Sequence, residues 1–125
     1  MGENRHIEVT VKTEFLPGHS DPARKLWFFA YHVSIHNRTA ESVQLLSRHW
    51  IITDAHGHTE HVRGPGVVGD QPVIRPGDAY EYSSGCPLNT SMGSMEGRYQ
   101  MVDANGRQFE AEIPAFVLVD PLELN

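Results

Sequence analysis

Leu26-Trp27-Phe28-Phe29-Ala30-Tyr31-His32-Val33-Ser34-Ile35-His36-Asn37 is the stretch on which the fold turns. Phe29, Tyr31, Val33 and Ile35 fall on one side of an extended chain, and His32, Ser34 and His36 on the other. Successive side chains of a strand point to opposite faces, so this period of two predicts a strand with one buried face. Upstream, Ile7, Val9, Val11 and Phe15 alternate with Glu8, Thr10, Lys12 and Glu14 and predict a second strand of the same kind. Leu16 to Lys25, with Pro17, Gly18 and Pro22, reads as the loop between them.

Downstream, Val43 to Thr53 is rich in β-formers and runs into the turn Asp54-Ala55-His56-Gly57, with a short return strand at Thr59 to Arg63. Gly64 to Gly77 holds four Gly and three Pro and reads as irregular. Ala79 to Ser83 is a strand with Tyr80 and Tyr82 on one face, and Ser84 to Gly93 reads as broken. Met95, Tyr99 and Met101 open a hairpin that turns at Asp103-Ala104-Asn105-Gly106, where Asn-Gly accepts positive φ. Phe109, Ala111 and Ile113 return. Pro114 is expected to interrupt the ladder, and Phe116, Leu118 and Leu122 to carry an extended tail.

No segment of ten or more residues shows a 3.6-residue period. About seven short strands divided by turn signals predict an all-β fold, an antiparallel β-sandwich of the immunoglobulin or fibronectin III kind. With no repeat and no long linker, residues 1–125 read as one domain, a length at which a real core can be buried. The strand around Trp50 breaks the alternation. Placing Leu46, Trp50 and Ile52 inward also turns Arg48 inward, so either a bulge intervenes or both faces are covered, the latter favouring self-association.

The stretches Gln44 to Asp54 and Gly64-Pro65-Gly66-Val67-Val68-Gly69-Asp70-Gln71-Pro72 resemble the ApaG family, also called CorD. So do Tyr82-Ser83-Ser84-Gly85, Pro87-Leu88, Gly93-Ser94-Met95-Glu96-Gly97-Arg98-Tyr99-Gln100-Met101, Asp103 to Gly106 and Ile113-Pro114. The resemblance implies a fibronectin-III-like sandwich. It also implies protein binding, the suggested role of such domains in eukaryotic F-box proteins and a polymerase-interacting protein. In bacteria it implies a link to cobalt sensitivity and magnesium efflux, beside a gene for a diadenosine tetraphosphatase. It brings no catalytic residues.

Composition narrows the function. Ten Lys and Arg against sixteen Asp and Glu give a net charge of −6, with the basic residues scattered, so nucleic acid is not the expected partner. No run is apolar enough for a membrane span, and the start of the chain lacks the apolar segment of a secretory signal. Gly2 is not followed by the myristoylation pattern, because His6 stands where Ser or Thr is wanted. The single cysteine, Cys86, cannot form an internal disulfide, so a cytoplasmic location is expected. Asn37-Arg38-Thr39 and Asn89-Thr90-Ser91 match the glycosylation pattern and are read as coincidences.

Gly64-x-Gly66-x-x-Gly69 spells the dinucleotide fingerprint, whose mechanism needs a strand before it and a helix after it. Asp70-Gln71-Pro72 follows, so dinucleotide binding of that kind is excluded. A Gly-rich loop flanked by Arg63 and Arg75 can still form an anion nest for a nucleotide polyphosphate, the alternative function. The same loop also reads as a partner surface if Val67, Val68, Val73 and Ile74 are exposed together, or as turns packed on the sandwich.

His56, His58 and His61 crowd one turn with Glu60, and imidazole suits Zn, Ni and Co. In a strand, however, His58 and His61 point to opposite faces, and a solvated turn is the better account. Ser47 and His49 share a face while Asp54 falls on the other, and Cys86, in a loop between Gly85 and Pro87, reads as a structural cysteine, so nucleophilic catalysis is not expected. The expectation is a non-enzymatic binding module without a cofactor. Its partner is a protein that the sequence does not identify, and a homodimer through sheet edges stays open.

Overall fold

A computed structural model describes residues 6–124. The reading of the chain start, including Gly2, lies outside the described residues. Eight strands follow in order: β1 (Ile7–Phe15), β2 (Trp27–Asn37), β3 (Val43–Asp54), β4 (Thr59–Pro65), β5 (Val73–Ile74), β6 (Ala79–Leu88), β7 (Met92–Asp103) and β8 (Gln108–Val119). One sheet has the order β1-β2-β6. The other runs β4-β3-β7-β8, with the two-residue β5 beside β3. All pairings are antiparallel. The all-β sandwich expected from the alternation is therefore the fold.

The alternation in β2 is realised residue by residue. Phe29, Tyr31, Val33 and Ile35 are buried, and across the ladder Phe29 faces Cys86 while Val33 faces Tyr82. The opposing sheet contributes Leu45, Trp50, Met95, Tyr99, Met101, Ala111, Ile113 and Leu118 to the same core. Among the described residues no helix is long and apolar enough to cross a membrane.

Two bulges account for the irregular strands. Leu45 pairs with Met101 but Ser47 with Gln100, so β3 carries one extra residue at Leu46. That residue moves the inward side from odd to even positions, and Trp50 becomes buried after Leu45. The bulge answers the question left by alternation, and no second subunit is needed to cover a face. On β8, Ile113 pairs with Gly97 and Phe116 with Met95, which sets Pro114 and Ala115 against Glu96 alone. Pro114 thus interrupts the ladder as expected, without ending β8. It sits in a bulge, where its missing N–H costs nothing.

The reading of Ser84 to Gly93 as broken is corrected. β6 continues through Leu88 and β7 begins at Met92. Gly85 and Pro87 are tolerated because β6 is an edge strand, and Gly85 leaves room for the ring of Phe28, which a Cβ would meet at 2.7 Å. Likewise, Phe116 to Val119 belongs to β8 and is followed by a 3-10 turn, Pro121–Leu124.

Gly97 faces Trp50 across β3, and a Cβ there would press into the carbonyl of His49. The obstacle is backbone in a central strand, so it cannot swing aside. Gly97→Ala is expected to cost about 1–3 kcal/mol or more, read as a lower urea midpoint; an unchanged midpoint would show that β3 and β7 can separate.

Candidate functional site

The Gly64–Gly77 loop is stitched onto β3. Gly66 N donates to the Leu46 carbonyl at 2.8 Å, Leu45 N to Pro72 at 3.0 Å, and the Gln71 side-chain amide to Leu46 at 2.8 Å. Arg48 donates to the carbonyls of Pro65 (3.0 Å) and Gly66 (2.9 Å), and Gly64 lets its guanidinium lie close, since a Cβ would meet it at 3.0 Å. Gly66, at φ +60, has no room for a Cβ against the Asp70 carbonyl. Val67 and Asp70 exchange two backbone hydrogen bonds, 2.8 and 2.9 Å, around Val68 (φ 47) and Gly69 (φ 83). Each glycine of the fingerprint thus has a reason in chain geometry.

This arrangement divides the loop's apolar residues. Val67 (0% exposed) and Ile74 (3%) are part of the core, whereas Val68 (63%) and Val73 (61%) face solvent. The four are therefore not exposed together: Val67 and Ile74 anchor the loop on the sandwich, as the packed reading has it, and only Val68 and Val73 remain outside. The amides of Gly66, Val67 and Asp70 already donate inside the protein, which leaves fewer for an anion. Arg75 pairs with Asp78 at 3.6 Å, and the Asp70 carboxylate accepts from Tyr80 at 3.0 Å.

The three histidines of the turn are not gathered. The Asp54 carboxylate accepts from the amides of His56 (2.8 Å) and His58 (3.0 Å), closing the β3–β4 hairpin. Burial alone would raise the Asp54 pKa, but these amides and the two imidazoles hold it below the usual value. His61 lies elsewhere, its Nδ1 2.8 Å from His49 Nε2 on the outer face of the sheet. Among the described residues no group of three or more His, Cys, Asp or Glu could hold a metal ion.

Cys86 is buried, and burial pushes its thiol up to about 11, so it is not a poised nucleophile. Ser47 and His49 share the outer face as expected, while Asp54 is committed to its hairpin. Between the sheets the Tyr82 and Tyr99 hydroxyls bond each other, and burial drives both well above the usual phenol range. Asn37 is wholly buried, so the first glycosylation match cannot be an acceptor.

One cluster has no counterpart in any single stretch of sequence. His49 faces Arg63 on β4 and Arg98 on β7, so three residues far apart in the chain form one row across the sheet. Ser47, His49, Arg63, Arg98, Gln100 and Glu110 line a shallow depression of about 460 Å³. Only the cross-strand register brings them together, so strand-by-strand reading of the sequence missed Arg98 altogether.

Known proteins resemble the chain over nearly all of this structure. The family profile described as ApaG domain matches residues 17–103. Protein ApaG of Brucella canis is 57% identical over 117 residues, covering 94% of this chain and 90% of that protein. Protein ApaG of Bradyrhizobium is 56% identical over the same length and shares of each chain. A crystal structure from Bordetella pertussis superposes with TM-score 0.90 at 46% identity, covering 92% of this chain and 94% of that one. None of these names states a reaction. Sequence identity above one half and a shared sandwich, with the profile spanning the loop stitched to β3, make the chain a member of the ApaG domain family.

Proposed function

We propose that the domain is a non-catalytic module that binds a protein partner at the tip of the 66–70 hairpin. The observation that carries this reading is Val68. A β-branched residue at φ 47 is sterically costly, and here 63% of its surface is exposed, so burial returns little. Asn-Gly is the favoured pair for a two-residue hairpin in which both φ values are positive, yet Val-Gly stands there. Folding alone gives no reason for a valine at this place; an apolar contact with another molecule does. Val73, also exposed, adds apolar surface on the same loop. Family membership is consistent with a binding role, and the link to cobalt and magnesium would act through such a partner. A second copy of the chain is one candidate, distinguished by light scattering at rising concentration. A cytoplasmic location fits the single buried cysteine.

The Val68→Asn variant separates the two contributions. It is expected to gain about 1 kcal/mol of stability by relieving the backbone, seen as a raised melting temperature. Proteins that the wild type recovers from an extract of the source cell should be lost at the same time. A variant that melts higher and still recovers the same proteins would refute the reading. Val67 must be left intact, since its replacement damages the core and would mimic a lost contact.

A further inference from the structure

The Arg63–His49–Arg98 row does not depend on the hairpin tip, and its guanidiniums have no ion-pair partner among the described residues. Among the described residues, Arg24, Arg38, Arg75 and Arg107 are ion-paired with carboxylates. Arg48 is bonded to two carbonyls. Arg63 and Arg98 alone among the described arginines have neither an ion pair nor a side-chain hydrogen bond. In a chain of net charge −6, two guanidiniums without an ion pair among the described residues, flanking one imidazole, are a departure from the rule.

We propose that this row is a binding site for a small phosphate-bearing anion, seated over β3 between Arg63 and Arg98 on the outer face of the five-stranded sheet. Their backbones are two strand spacings apart, about 10 Å, a distance that two flexible arginine side chains can close on one phosphate or span along a di- or triphosphate. Guanidinium matches phosphate oxygens with paired N–H donors, whereas an ammonium would act only as a point charge. Ser47 borders the same depression and can supply a further hydroxyl donor. His49 and His61 share a single hydrogen bond, so at least one of them is unprotonated at the shared nitrogen while that bond persists. Partial burial, then Arg63, Arg98 and His61, lower the His49 pKa, and Glu110 opposes them. The geometry itself places a guanidinium on the strand at either side of His49.

The carboxylates set the limit of the site. Glu112 faces Arg98 and Glu110 faces Gln100 from β8, and Glu96 faces Ile51 one step along the sheet. The anion therefore belongs on the β4–β3 side, away from β8. This polarity gives the experiment two opposite arms. The wild type is titrated with inorganic triphosphate at low and at moderate salt, followed by backbone amide chemical shifts. Shifts centred on His49, Arg63 and Arg98 are expected. Arg63→Gln and Arg98→Gln should each weaken the affinity at least tenfold, with unchanged melting temperature because both residues are exposed. Glu110→Gln should tighten it several-fold. A parallel arm with butane-1,2,3,4-tetracarboxylate, whose charge near neutral pH is close to that of triphosphate, separates phosphate from carboxylate, and the tetracarboxylate binding equally well would overturn the phosphate assignment. So would triphosphate affinity unaltered in both arginine variants, or no shift at millimolar concentration. If an acidic peptide binds at these arginines while triphosphate does not, the surface belongs to a protein partner and the proposal fails.

Discussion

Trp50→Ala is expected to lower stability by about 3–5 kcal/mol, which approaches the whole stability of an ordinary domain, about 5–15 kcal/mol. The indole is 2% exposed and stands between the sheets. The Tyr31 ring, from the three-stranded sheet, lies 5.2 Å away, while Phe116 and Tyr99, from the five-stranded sheet, lie at 5.9 and 6.4 Å. All three contacts are edge-on, the arrangement favoured by aromatic quadrupoles. Truncation to alanine removes the ring that joins both layers and leaves a cavity that packed sheets cannot collapse. One contribution runs the other way. Trp50 Nε1 is buried without a hydrogen-bond acceptor among the described residues, a defect worth about 1–3 kcal/mol. Trp50→Phe keeps most of the apolar contact and deletes that orphan donor, so its cost should be below about 1.5 kcal/mol. Urea unfolding of the two variants measures both values. Equal losses for phenylalanine and alanine would mean that the indole edge, not ring packing, holds the layers together.

The second large effect is at Asn37, where β2 ends. Its side chain is fully buried and uses every strong bonding position it points inward. Nδ2 donates to the carbonyls of Glu41 and Ile74, each at 2.8 Å, and Oδ1 accepts from the Thr39 amide at 2.9 Å and the Thr39 hydroxyl at 2.7 Å. One amide thus ties the end of β2 to the 39–41 turn and to β5. Asn37→Asp keeps the shape and replaces two N–H donors by an oxygen aimed at two carbonyl oxygens. At neutral pH the loss is expected to be about 3 kcal/mol or more, because a buried carboxylate is left without a cation. The sign of the pH dependence follows. The introduced carboxyl has a higher pKa folded than unfolded, so stability is recovered as pH falls through the folded value, when a single O–H donor is restored. Urea midpoints relative to wild type should therefore rise on acidification. A deficit independent of pH would show that the Asp side chain has left the interior.

The strands were legible because their evidence is local. Phe29 to Ile35 needs no partner to declare which side is buried, and Asp70-Gln71-Pro72 after the glycines of the 64–69 segment excluded the helix that a dinucleotide fingerprint needs. Trp50 was legible only as a contradiction, since its strand could not be placed on one face without also burying Arg48. The bulge at Leu46 removes that contradiction, and Arg48 finds its place by bonding the carbonyls of the loop. The residues proposed to bind a partner were half legible. The loop was identified, but the sequence treats Val67 and Val68 alike, and only the φ of 47 at Val68 separates an anchor from an exposed tip.

Residue order alone determined the all-β class, the inward faces of β1 and β2, the turn at Asn105-Gly106 and the resemblance to the ApaG family. Tertiary structure decided the continuation of β6 to Leu88, the bulges at Leu46 and Pro114, and the row of Arg63, His49 and Arg98. The reason is the range of the forces involved. Alternation follows from the backbone geometry of neighbouring residues, whereas register is the outcome of pairings between distant strands, and one inserted residue reverses every face beyond it.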